Sequence, residues 1–199
     1  MPETRRLLFA ALEAPGNVSR DINRLRRALF AQSGETSALA FPDVVPLAYI
    51  ACPSHFSPSR VAGVRRALGS CWEGTVGRFE TSGVVFAHGS LYLGLAEPVG
   101  TLAQNARSLF TELGFEPCEG KPLEEGLGFF ICRPADLEAA RETATRFAPE
   151  ALRFLDCSLV LLELCLTEDP FEAQSWKELA RSRRRTGPSP LPSGRRRRT

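Results

Sequence analysis

Short apolar blocks and longer helical-period blocks alternate along this chain. Compact apolar runs at 6–12 (RLLFAAL), 47–52 (LAYIAC), 78–86, 91–96, 127–132 (LGFFIC) and 159–166 (LVLLELCL) read as strands, with a shorter one at 152–155. Between them, apolar residues recur at helical spacing. Val18, Ile22, Leu25 and Leu29 mark one helix, and Arg20, Arg24, Arg26 and Arg27 are expected to form its solvated faces. Val61, Val64 and Leu68 mark a second, opened by Ser57-Pro58, a cap followed by a proline at the first turn. Leu102, Ala106, Leu109 and Leu113 mark a third, ended by Gly114. Leu137, Ala140, Ala144 and Phe147 mark a fourth, closed by Pro149. Ala87-His88-Gly89-Ser90 reads as the tight turn of a hairpin, and a short helix at 176–180 is expected to cap the body.

The order of these elements repeats. LLFAALEAPGNVSRDINRLRRAL is echoed by SLYLGLAEPVGTLAQNARSLFTEL: strand, acid-and-proline turn, glycine, helix. LAYIACPSHFSPSRVAGVRRAL is echoed by LGFFICRPADLEAARETATRF: strand, proline turn, helix. The strands at 47 and 127 begin 80 positions apart, too long a period for a solenoid and suited to a duplicated lobe. The expected fold is α+β, with two lobes related by a pseudo-twofold axis. Antiparallel sheets with outer helices then face each other across a central cleft, the usual place for a ligand.

Composition divides the 199 residues in two. Residues 181–199 hold eight arginines and no acid, which leaves 1–180 at a net charge of −6. The expected organisation is a bilobal domain at 1–180 and a disordered arginine-rich tail at 181–199, poor in core-forming residues. An acidic body argues against a nucleic-acid footprint over the whole surface. No apolar run approaches the roughly 20 residues needed to cross a bilayer. The opening MPETRRLLFAALEAPG resembles a leader, but its apolar run meets Glu13 at once and reads as a strand. A cytoplasmic monomer without membrane contact is expected. Cysteines fall at 52, 71, 118, 132, 157 and 165 with no Cys-x-x-Cys pair, and the chain has two histidines, so neither a metal site nor a cofactor is expected. Most of the thiols are expected free and buried; Cys52 and Cys132 occupy equivalent places in the two repeated strands and could approach each other.

Layout and local strings together resemble a known family. RRLLFAALEAP at the start, GVVFAHGSLYLGL in the hairpin and SLVLLELCL near the end are similar to the LigT-like two-histidine (2H) phosphoesterase superfamily, over roughly residues 5–180. That superfamily includes bacterial RNA 2′,3′-cyclic phosphodiesterases. Its members carry His-x-Thr or His-x-Ser on each of two central strands. Residues two apart on a strand point the same way. Each pair therefore delivers an imidazole and a hydroxyl to the cleft, for general acid–base work and phosphate binding. Aligned to this pattern, the first His falls at Ala48 and its hydroxyl at Ile50, the second at Gly128 and Phe130. Neither strand contains His, Ser or Thr, so both motifs are missing. Arg133, after the second strand, could still meet an anion. His55 and His88 lie in loops, and neither is placed to form an active pair.

Three readings of function follow. The first is a catalytically degenerate 2H phosphoesterase-like protein with a binding or scaffold role, associated with RNA. The second is a cyclic phosphodiesterase, or 2′-5′ RNA ligase-like enzyme, with an atypical active site. The third is an interaction module brought to nucleic acid by its tail alone. Arg181, Arg183, Arg184 and Arg185 form one basic cluster of that tail, and Arg195, Arg196, Arg197 and Arg198 another, around a Gly-Pro-Ser-Pro-Leu-Pro-Ser-Gly spacer. Such clusters attract RNA or another polyanion through salt-dependent, sequence-independent contacts. The tail has no aromatic residue to stack on bases.

Overall fold

A computed structural model describes residues 5–34, 41–51, 58–75, 77–97, 99–115, 123–155, 157–166 and 173–183. Eight strands and four α-helices are present among them. The first repeat supplies β1 (Arg5–Glu13), α1 (Gly16–Ser33), β2 (Val44–Ala51) and α2 (Pro58–Ala67), which runs on into a 3-10 turn at Leu68–Trp72. The hairpin β3 (Phe79–Ala87) and β4 (Ser90–Leu95) leads to α3 (Gly100–Glu112), β5 (Gly128–Cys132) and α4 (Leu137–Phe147). Then come β6 (Arg153–Phe154), β7 (Ser158–Leu166) and β8 (Ala173–Arg183).

Two four-stranded antiparallel sheets result, ordered β2-β1-β7-β8 and β5-β4-β3-β6. The order makes the duplication visible: β1 and β2 in one sheet correspond to β4 and β5 in the other. It also shows that the first lobe is not a continuous stretch of chain. Its sheet is finished by β7 and β8, which arrive after the second lobe is complete. The full nine-residue ladder between β1 and β7 runs from Arg5 opposite Leu166 to Glu13 opposite Ser158. The first sheet is therefore complete only once β7 and β8 have arrived, whereas the second is built from the continuous stretch 79–154.

Each sheet has two apolar faces. The outer faces carry Leu8, Ala10, Leu12, Leu93, Phe129 and Ile131 against the helix residues Val18, Ile22, Leu25, Leu102, Ala106 and Ala140. The inner faces carry Phe9, Tyr49, Tyr92, Phe130 and Leu162, joined by Phe41 and Leu123 from the connections, with no helix residue among them. A strand buried on both faces reads as a continuous apolar run rather than an alternating one, which is why the strand signals were strong. Helix ends follow their caps. Asp136 accepts from the amides of Glu138 and Ala139 at the start of α4, and Gly34, at φ 71°, ends α1 in the left-handed conformation that glycine tolerates.

Two elements differ from their sequence-based expectation. The short helix expected at 176–180 is the middle of the eleven-residue strand β8. Pairing along the Leu-rich edge of β7 outweighs the weak local helical preference of that segment. β8 also carries Arg181 and Arg183, so the folded body extends past 180 and these two arginines belong to a sheet rather than a tail. β2 starts at Val44, ahead of the apolar run, because Val44 and Val45 already pair with Glu13 and Leu12. Pro46 is accommodated there because β2 is an edge strand and the register shifts beside it.

Candidate functional site

The two lobes meet where β2 approaches β5. The amide of Gly126, just ahead of β5, donates to the carbonyl of Pro46 on β2 at 2.6 Å. Any site built on the two central strands lies here, on their inner faces.

That midline is packed with rings. Phe130, fully buried, sits 4.8 Å from Phe41 and 5.8 Å from Tyr92, centroid to centroid, both edge-on. Phe41 reaches on to Phe9 at 5.8 Å, and Phe9 stacks on Tyr49 at 6.4 Å. A continuous aromatic chain from Tyr49 to Tyr92 thus joins the two lobes, and edge-to-face pairs at these distances add about 0.5–1.5 kcal/mol each beyond their area. The two phenols are tied down: Tyr92 Oη accepts from the amide of Glu124 at 3.0 Å, and burial pushes the Tyr92 pKa up.

The four motif-equivalent positions separate. Phe130 points inward, into the ring cluster. Gly128 shares its face, pairing with Gly94 on β4. A Cβ built on Gly128 would lie 2.3 Å from the carbonyl oxygen of Leu93 and 2.7 Å from the Cα of Gly94. No side chain fits there while the strands hold their spacing. Ala48 and Ile50, expected to face the cleft, instead lie on the helix side with Leu8 and Ala10, opposite which they pair. The inward residue between them is Tyr49. The register shift between Ala10 and Ala11 moves the phase of β2, a slip that a count of alternate residues does not reveal.

Arg26 is the residue that sequence reasoning misplaced. Expected on a solvated face of α1, its side chain is only 3% exposed. Its guanidinium crosses the lobe boundary: Nη2 donates to the carbonyl of Phe130 at 2.7 Å, and Nη1 donates to the carbonyl of Phe41 at 2.8 Å and to Asp43 Oδ1 at 2.5 Å. Asp43 is held in turn by Asn23 Nδ2 at 2.8 Å and by the Ser19 hydroxyl. Burial pushes the Arg26 pKa down, and Asp43 opposes that shift. A signal existed: Arg26 follows Ile22 by four and precedes Leu29 by three, on the flank of the apolar stripe.

Beside this network the inner face of the first sheet opens into a cavity of about 300 Å³, bounded by Glu13, Asn23, Arg26, Asp43, Trp176 and Glu178. Its acids are already engaged. Arg181 grips Glu13 through both terminal nitrogens and Glu178 through Nε at 3.0 Å and Nη2 at 2.6 Å. The hydrogen bonds from Arg181 hold the Glu178 carboxyl below its ordinary range, with burial opposing. A depressed carboxylate stabilises the fold above its unfolded pKa of about 4.3, and that contribution disappears as pH falls through the lower folded value. The expected result is that wild type exceeds Arg181→Gln in urea resistance at pH 7 and that the gap narrows as pH falls below about 4.3.

The remaining candidates are dispersed. His88 sits at φ 46° in the β3–β4 turn, largely exposed, with Nε2 3.1 Å from Glu124 Oε1. His88→Ala is expected to change stability by less than about 0.5 kcal/mol in urea titrations. Arg133 is exposed just past β5, with its Nε 4.0 Å from the Cβ that Gly89 lacks. His55, Cys52, Cys118, Arg184, Arg185 and Arg195 to Arg198 lie outside the described residues. Cys71, Cys132 and Cys157 are buried, and burial pushes the Cys71 thiol up to about 11, which leaves it unreactive at neutral pH. Among the described residues no helix is long and apolar enough to cross a membrane.

The fold is similar to that of two solved structures. The chain is similar over 92% of its length, and 99% of the other, to a crystal structure described as a phosphoesterase, with a TM-score of 0.59 and 16% identity. It is similar to Escherichia coli LigT in its apo form over 91% of its own length and 98% of that chain, at a TM-score of 0.55 and 15% identity. At this identity the likeness is one of fold. No protein-family model and no curated protein matches the sequence.

Proposed function

We propose that this chain is a catalytically degenerate member of the LigT-like superfamily, a cytoplasmic monomer that acts as a binding or scaffold protein associated with RNA. The observation that carries the reading is the state of the second motif position. Gly128 has no room for an imidazole, and Phe130 fills with a ring the place of the hydroxyl. The aromatic chain from Tyr49 to Tyr92 occupies the midline where a phosphate needs polar donors. RNA association is supported by residues 184–199, which carry six arginines and no acid.

The test is a fluorogenic assay on 2′,3′-cyclic nucleotides with wild type, His55→Ala and His88→Ala. The expected result is no turnover above background in any of the three. Robust turnover abolished by either substitution supports the rival reading, a cyclic phosphodiesterase with an atypical arrangement, and overturns this one. For the tail, deletion of 184–199 is expected to weaken binding to RNA and to flatten its salt dependence; unchanged affinity removes the tail from the account.

A further inference from the structure

The outward face of α1 carries a stripe of exposed arginines. Arg20, Arg24 and Arg27 are all exposed and follow one another at i, i+4 and i+7, diametrically opposite the buried Val18, Ile22, Leu25 and Leu29. They span about 10 Å along the helix axis. Elsewhere in the body arginines are commonly matched to acids: Arg26 to Asp43, Arg107 to Glu125, Arg153 to Glu80, and Arg181 to Glu13 and Glu178. Among the described residues, none of the three stripe arginines has an ion-pair or hydrogen-bond partner. Three like charges on successive turns repel one another, on a body (1–180) whose net charge is −6. Next to them stands Phe30, one turn beyond Arg27 and 43% exposed, one of the few large apolar side chains left in solvent.

We propose that this face of α1 is a docking surface for single-stranded RNA, with Arg20, Arg24 and Arg27 on successive phosphates and Phe30 stacked under an unpaired base. Charge complementarity fixes the class of partner: a row of guanidiniums fits a regularly charged backbone. An exposed ring beside that row takes a base that has left its stack, which a duplex does not present. The tail supplies charge but no aromatic residue, so the folded body would provide the stacking that the tail lacks. The inference rests on the RNA association proposed above and locates a second, structured part of it, on the outside of the first lobe and away from the midline.

Anisotropy titrations of a labelled single-stranded RNA across a salt series, on the full chain, test this. Arg20→Gln/Arg24→Gln/Arg27→Gln keeps good helix formers on an exposed face, so its urea midpoint should match wild type. Its affinity at low salt is expected to fall at least about tenfold, and its log–log salt slope to become shallower by about 2, since each single-strand phosphate contact contributes about 0.7. The single change Arg24→Gln should lower the slope by about 0.7. Phe30→Ala should weaken binding about tenfold with the slope retained. Arg65→Gln/Arg66→Gln removes exposed charge from α2 instead and should leave affinity within about twofold of wild type. Equal losses from the α1 and α2 variants overturn the assignment to α1. An unchanged triple variant, with binding abolished by deletion of 184–199, overturns it while leaving RNA association standing. No binding by the full chain overturns both. Preference for anionic phosphatidylserine vesicles over RNA overturns it in favour of a lipid surface.

Discussion

Arg26→Met is expected to destabilise the protein by about 3–5 kcal/mol, the cost of removing one partner from a buried ion pair. Against a total stability of about 5–15 kcal/mol for a domain, that removes between about a fifth and the whole of it. The magnitude follows from what is left behind. Asp43 loses its counter-ion, and the carbonyls of Phe41 and Phe130 lose the donors that satisfy them. Each buried acceptor left unmatched costs about 1–3 kcal/mol. The Asp43 side chain is 20% exposed and keeps Asn23 and Ser19, which moderates its share. Arg26→Lys restores the charge but not the fork: one ammonium cannot reach Asp43 and both carbonyls in the guanidinium's geometry, so it should recover part of the loss. Urea unfolding at pH 7 measures all three proteins. An Arg26→Met variant within about 1 kcal/mol of wild type would mean that the network contributes little, and that the lobes are held by the rings alone.

The contrast between Arg26 and its neighbours shows what the sequence could and could not convey. Period and composition found every large element except β8: the six long apolar runs became strands, the four apolar stripes became helices, and the duplication came through in the matching sheet orders. These signals are local, or repeat at a fixed offset, and tertiary context reinforces them. The failures are all non-local. Arg26 and Arg27 are adjacent charges on one helix, and only the third dimension sets one against β5 and the other in solvent. The segment at 176–180 is a strand because β7 offers it an edge, a fact about a partner. Ala48 and Ile50 exchange faces with Tyr49 because of one register shift against β1. That the runs at 47–52 and 127–132 hold no His, Ser or Thr was readable directly. That rings fill the space between them was not, since Phe41 reaches Phe130 from a connection that no strand pattern includes.

Introducing a His-x-Thr pair at 128 and 130 is expected to unfold the protein rather than to create chemistry. Gly128→Ala alone tests the steric half of this. Its new methyl group would stand 2.3 Å from a carbonyl oxygen and 2.7 Å from a Cα, both backbone atoms of β4 that no side-chain rotation can move. Overpacking costs about 1–3 kcal/mol where side chains can yield, and more where a strand must shift, so a loss of about 3 kcal/mol or more is expected in urea titrations. β4 cannot retreat freely, because Gly94 is closed on its other side: a Cβ there would meet Ser82 Oγ and Val85 Cγ2 at 2.7 Å. The pair Gly94–Gly128 is thus a point of close strand approach, the usual reason for glycine inside a strand. Gly128→His/Phe130→Thr adds a second loss. Phe130 contacts both Phe41 and Tyr92, and truncating a buried ring of this kind costs about 3–5 kcal/mol. The combined deficit approaches or exceeds the whole stability of an ordinary domain. Circular dichroism melts and the cyclic-nucleotide assay on the same preparation read both halves at once. A double variant that folds with native cooperativity and turns over substrate would mean that the midline is merely unequipped; one that fails to fold ties the absence of the motif to the packing that replaced it.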